Sequence, residues 1–235
     1  MPAMKAQWEW LCVFTLVVLL PPGASVVPVA AEPHHHLVLQ NSHLRAFRVE
    51  VLPHEQTLLH HHASDYVSVI LEGAEVENDV EGKPPAIAKS AAGDVRLTAA
   101  PLTHLVKNVG NTPFRNVTVE ILGTPASSGE PGAPAAQSPR RTADGVTRTP
   151  RGETAAVRVS ETIINPGITV PEHTHTVPHL LLALSDLELQ SVVAGRAPET
   201  VRLAPGEVRW FEAGLKHTVT NLSPGPARYV TLDFK

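Results

Sequence analysis

Cysteine is nearly missing from this chain. Its 235 residues include one, Cys12, inside the apolar opening segment. Residues 32–235 therefore hold no thiol. That excludes cysteine ligands and cysteine nucleophiles there and suits an oxidising compartment. A surplus of positive charge is also missing. The formal net charge is −4, spread along the chain without a basic stripe, so nucleic acid is not an expected partner. Long apolar runs are missing too. The strongest, Leu11–Leu20, has ten residues, where a bilayer span needs about 20. No segment after the opening has a helical apolar period, so the elements expected are strands.

What is present falls into four stretches. Lys5, the apolar run, Pro21-Pro22-Gly23 and small residues up to Val29-Ala30-Ala31 have the layout of a secretory signal. Pro21-Pro22 would interrupt a longer helix, which weighs against a membrane anchor. Residues 1–31 are thus expected to be removed after Ala31. The remainder would be periplasmic or secreted, without stable membrane insertion. Residues 123–153, rich in Pro, Gly, Ala and Ser, read as a flexible linker. It separates residues 32–122 from 154–235. Both flanking stretches alternate apolar and polar residues, as in Val117, Val119 and Ile121 or Val157 and Val159, between turns such as Asn165-Pro166-Gly167. Period two marks half-buried strands, and short strands at this spacing suggest a sandwich or barrel.

The two stretches are copies. His60, His62, His104 and Asn108 recur as His173, His175, His217 and Asn221, each pair 113 residues apart, and Gly93 and Gly206 keep the same offset. On a strand, residues i and i+2 face one side, so each His-x-His pair points two imidazoles together. A third histidine arrives from far along the chain. Neutral imidazole is the commonest metal ligand, and several converging rings can hold a divalent ion. A single histidine is more often a surface residue or a satisfied buried donor. The repetition of the whole pattern makes it a metal-site candidate. Asn108 and Asn221 are expected to bind backbone. His34-His35-His36 reads as a mobile tail, with adventitious metal capture as the alternative. Trp210 and Phe211 read as core, or as pocket lining.

The second copy reads Gly167-x5-His173-x-His175-x3-His179, then Gly206-x5-Glu212-x-Gly214-x2-His217-x3-Asn221. This closely resembles the two cupin motifs, and the first copy resembles them more loosely. The resemblance implies a secreted bicupin: all-β, two small antiparallel jelly-roll barrels in tandem, packed on each other within the chain. Whether two chains also pair as a homodimer stays open. It implies metal ligands His60, His62 and His104 in copy one and His173, His175 and His217 in copy two. The family's ligand glutamate falls at Tyr66 and His179, and copy one has His54 at a motif glycine. With His179 as a fourth ligand the second site is closed; with His179 standing off it is open to water or substrate. Tyr66 is open among ligand, proton donor, supporting partner and packing residue. Without the carboxylate a site keeps nearly the full 2+ charge and favours anionic or chelating ligands. The expected cofactor is a divalent transition metal (Fe, Mn, Ni, Cu or Zn). The expected function is a metal-dependent oxygenase or isomerase on a small molecule, or a non-catalytic metal- or ligand-binding module of the cell envelope.

Overall fold

A computed structural model describes residues 25–123 and 140–235. Leu11–Leu20 and most of the expected linker lie outside the described residues. The rest is all-β apart from one short 3-10 turn, Val29–Ala31. Among the described residues no helix is long and apolar enough to cross a membrane.

The copies fold alike. In the first, one sheet runs His35–Gln40, Leu44–Val51, Phe114–Ile121, Tyr66–Glu72, Val95–Thr98. The facing sheet runs Val27–Pro28, His60–His62, Leu102–Asn108, Glu75–Val80, Ala86–Lys89. In the second, Val146–Glu153, Val157–Ile164, Ala227–Phe234, His179–Ala183 and Val208–Phe211 repeat the first order, and Thr169–Thr174, Lys216–Asn221, Leu187–Val192 and Glu199–Leu203 repeat the second. Each copy is a barrel of two sheets, antiparallel apart from the parallel pairing of Val27–Pro28 with His60–His62.

Three sequence expectations change here. Strands Arg140–Ala143 and Val146–Glu153 lie inside the expected linker 123–153. Val146–Glu153 has little apolar period of its own and forms by pairing with Val157–Ile164. His35–Gln40 is a strand paired with Leu44–Val51, not a tail. The packed body also begins upstream of Ala31: Val27 pairs with His60, and Val29 is 1% exposed. A cut after Ala31 would take both from the first barrel.

Phe114–Ile121, expected to be half-buried, is in fact buried on both faces over most of its length. Along Phe114–Ile121, Val117, Val119 and Ile121 join an apolar cluster that also holds Val157, Val159, Leu180, Leu182, Val230, Leu232 and Phe234 of the second copy. The barrels therefore share one core across the faces that point away from their lumens. The alternate residues Asn116, Thr118 and Glu120 point into the lumen instead. Gly206 sits where this contact is tight. Its φ is +84°, and an added Cβ would meet Leu71 Cδ1 of the other barrel at 2.6 Å.

Asn108 and Asn221 bind backbone as expected. Asn108 Nδ2 donates to the Val51 and Thr112 carbonyls, and Asn221 Nδ2 to those of Ile164 and Gly225. Each closes the turn after its histidine strand. The turn before the histidine pair differs between copies: Gly167 has φ +72°, while His54 takes the same left-handed conformation at φ +66°. A β-carbon there costs roughly 1–2 kcal/mol, partly offset by the freedom glycine loses on folding. His54 is exposed, so His54→Gly should raise stability by about 0.5–1 kcal/mol, read as a higher chemical-denaturation midpoint.

Candidate metal centres

In the first barrel His60 and His104 lie directly opposite each other on antiparallel strands. Alternation puts His62 beside His60 and turns His61 away to Thr103. Ring centroids are 4.5 Å apart for His60–His104, 5.1 Å for His60–His62 and 5.4 Å for His62–His104. The second barrel repeats this, with His173 opposite His217 and centroids 4.8–5.3 Å apart among His173, His175 and His217.

The partners of Nδ1 fix which nitrogen is free. His60 Nδ1 lies 2.8 Å from the Leu58 carbonyl, and His173 Nδ1 lies 2.9 Å from that of Pro171. A carbonyl only accepts, so both Nδ1 atoms carry the proton and both Nε2 atoms keep a lone pair. His104 Nδ1 meets Asn78 Oδ1 at 2.8 Å, and His62 Nδ1 meets the buried Glu120 carboxylate at 3.2 Å. His217 Nδ1 lies 2.7 Å from Ser191 Oγ. The Nε2 atoms of His60, His104 and His217 are buried without a partner. Inward lone pairs on rings oriented from behind are the arrangement a divalent ion requires, so these residues fit one. Burial, then neighbouring rings, pushes His60 down to about 4 and His104 to about 2, and His62 is lowered as well. In the second barrel the same causes bring His175 to about 3 and His179 and His217 to about 4. The rings are therefore neutral near pH 7, the state in which they can ligate.

The two residues at the glutamate position do neither of the simple things. His179 stacks flat on His175, with centroids 3.9 Å apart and planes at 17°, and on Phe211 at 5.0 Å. It stands outside the convergent set His173, His175 and His217. Tyr66 stacks on His62 at 4.2 Å and bonds Thr98. Burial pushes its phenol up to about 12, so it stays a neutral hydroxyl. Two residues that sequence reasoning missed face the centres. His35 contributes one ring nitrogen to a set with His60 and His62, all within 4.8 Å. Arg148 lines the second cavity. The signal was available, since 35 and 148 differ by the same 113 residues, but each sat in a stretch read as tail or linker.

The lumens differ in character. The first cavity, about 320 Å³, has apolar walls that include Val49, Ile70, Val76 and Phe114, with more polar groups among them, Ser68, Asn78, Lys83, Arg96 and Asn116. The second, about 250 Å³, is walled by Val146, Val170, Leu181, Val201, Phe211 and Val219 beside Arg148. Phe211 is thus pocket lining, and Trp210 packs on the shared core.

No family model and no curated protein matches the chain. Solved structures do. An oxalate decarboxylase of Bacillus subtilis is 12% identical with a TM-score of 0.63, over 82% of this chain and 69% of that one. Another structure of that enzyme is described by its Mn(II) centers. AerE of Microcystis aeruginosa is 13% identical with a TM-score of 0.61, over 87% and 98%. A salicylate 1,2-dioxygenase of Pseudaminobacter salicylatoxidans is 14% identical with a TM-score of 0.62, over 88% and 78%. Two jelly-roll barrels in one polypeptide, each with a histidine triad in its lumen, give this chain the two-barrel fold of these solved structures.

Proposed function

We propose that this chain is an exported metal-binding bicupin. Each barrel holds one divalent transition ion (Fe, Mn, Ni, Cu or Zn), and the second receives a small organic anion beside it. The observation that carries the reading is the set of buried, partnerless Nε2 atoms on His60, His104 and His217. An unmet buried acceptor costs about 1–3 kcal/mol, and an ion meets several at once. Export is supported by the apolar opening and the cysteine-free remainder.

A bound ion would supply Lewis acidity to a chelating ligand. The rest is done by the chain's own residues. Arg148 stands at the mouth of the second cavity, 42% exposed and 3.2 Å from Asp233. Its planar guanidinium suits a carboxylate. The apolar walls exclude water from the body of the ligand. Tyr229, with its phenol pushed up by burial to about 12, remains a hydroxyl bonded to Thr162. Three histidines with an open side fit an oxygenase-type reaction on a small carboxylate. A non-catalytic binding role is the second reading, favoured by the first barrel, whose His60, His62 and His104 are all buried.

Protein made without a histidine tag and supplied with all five metals should carry one ion per barrel by elemental analysis. His217→Ala should remove one ion, and a metal-free wild type overturns the reading. Arg148→Met should weaken a benzoate probe about tenfold, the roughly 1.4 kcal/mol expected of a partly exposed charge-assisted contact. Oxygen uptake with aromatic acids separates the oxygenase from the binding module.

A further inference from the structure

The first barrel has a residue facing its histidines that the repeat does not duplicate. His35 lies on the edge strand His35–Gln40, opposite Val49. Its ring centroid is 4.8 Å from that of His60 and 6.1 Å from that of His62. We propose that His35 is a fourth metal ligand of the first barrel and that buried Glu32 is the residue that positions it. This rests on the reading that the barrel holds a metal ion. The ligand comes from the N-terminal strand, not from either histidine motif, and Tyr66 occupies the position after the His-x-His pair.

Three observations converge on this. First, His35 Nδ1 is 2.6 Å from Glu32 Oε2. A carboxylate accepts, so Nδ1 carries the proton and Nε2 holds the lone pair. Second, Glu32 is anchored. Its side chain is fully buried, and its Oε1 accepts from the Leu58 amide at 3.1 Å. The Leu58 carbonyl in turn accepts from His60 Nδ1 at 2.8 Å. One residue, Leu58, therefore orients two rings, one directly and one through Glu32. A carboxylate this buried would be costly alone; the bonds from His35, His34 and Leu58 more than offset its burial and hold it down at about 2. Third, the second barrel has Arg148 at the corresponding position. Arg148 pairs opposite Thr162 as His35 pairs opposite Val49. A guanidinium has no lone pair to give a metal.

The consequence is a division of labour. Glu32 behind His35 and Glu120 behind His62 bring two carboxylates to the first centre through its ligands. Hydrogen bonds of this kind raise imidazole basicity. They return the negative charge that the missing ligand glutamate would have supplied. In the second centre, the Nδ1 partners of His173 and His217 are the uncharged Pro171 carbonyl and Ser191 hydroxyl. The first centre is then the tighter site, and its ion ties the edge strand His35–Gln40 to the barrel.

The test uses the full chain with the second centre disabled by His173→Ala and His217→Ala, and Co(II) as the probe. Affinity is read by calorimetry, coordination by the visible absorption of the ion, and folding by circular dichroism. In this background His35→Ala should weaken Co(II) by about 100-fold or more and change the spectrum. Glu32→Gln should weaken it about 10–100-fold, the usual range for a lost partner behind a ligand, with the spectrum kept. Co(II) should also slow proteolysis within residues 35–40, and His35→Ala should abolish that protection. If His35→Ala fails to fold, His35→Gln, which can still donate to Glu32, serves in its place. Unchanged affinity and spectrum in a folded His35 variant overturn the inference while the metal site stands. No Co(II) binding in the parent background overturns both.

Discussion

The metal-free protein is expected to lose most of its stability as pH falls from 6.5 to about 5. In the unfolded chain each histidine titrates near 6.5. In the folded chain His60, His179 and His217 sit at about 4, His175 at about 3 and His104 at about 2. Between these values the unfolded state binds protons that the native state refuses. The stability these rings contribute is therefore complete above pH 6.5 and is lost as pH drops toward their folded values. One histidine changes stability by about 1.4 kcal/mol per pH unit within its window. His175 is only partly buried and the shifts are shared among neighbours, so half that slope is a fair figure. Five such rings still remove several kcal/mol per pH unit, against a total of about 5–15 kcal/mol for an ordinary domain. Glu32, held at about 2, acts in the same direction but below this window. Thermal melts with a chelator, stepped from pH 7.5 to 4.5, should show the fall. Excess zinc should move it to lower pH, because metal binds the native neutral rings. A flat profile down to pH 4.5 would mean the rings take up protons within the native barrels.

Leu232→Ala is expected to cost about 2–5 kcal/mol, the range for a buried leucine that leaves a cavity. Leu232 is fully buried in the cluster that also holds Leu44, Val117 and Val119 of the other barrel. Its neighbours Thr231 and Asp233 face the second lumen, where Asp233 holds Arg148. The cavity therefore opens between the barrels, behind both metal centres. Unfolding should remain one transition at lower temperature, with both ions released together. Two separate transitions, with the first barrel melting as in the wild type, would show that the barrels do not depend on the shared core.

Much of the site was legible because its chemistry repeats with a fixed period. His-x-His on a strand puts two rings on one side without any tertiary information, and the 113-residue offset made the third histidine recognisable. Antiparallel barrels were an expectation of the resemblance; the register that sets His60 opposite His104 and His173 opposite His217 is given by the strand pairing. His35 and Arg148 share the 113-residue offset, but that alone did not place them on strands facing the centres. His35 lies on an edge strand and Arg148 on the strand next to an edge; such strands form by hydrogen bonding to their neighbours, with no apolar alternation needed. His35 was hidden in a histidine run and Arg148 in a stretch rich in proline and glycine. His179 also needed the structure. Spacing placed it beside the pair, but its orientation depends on Phe211, which packs against its other face.

The sequence by itself determined that one β-unit is used twice, that each copy aims three histidines inward, and that neither copy keeps a glutamate at the ligand position. These are local facts of strand alternation and repeated spacing. Only the tertiary structure decided which face of each strand meets water, metal or the other barrel. Alternation separates two faces without saying where each one goes. Packing sent Val117 and Leu232 to a common core and left Glu120 and Asp233 in the lumens. It also made the two centres unequal, by bringing a histidine backed by a carboxylate to one and an arginine to the other.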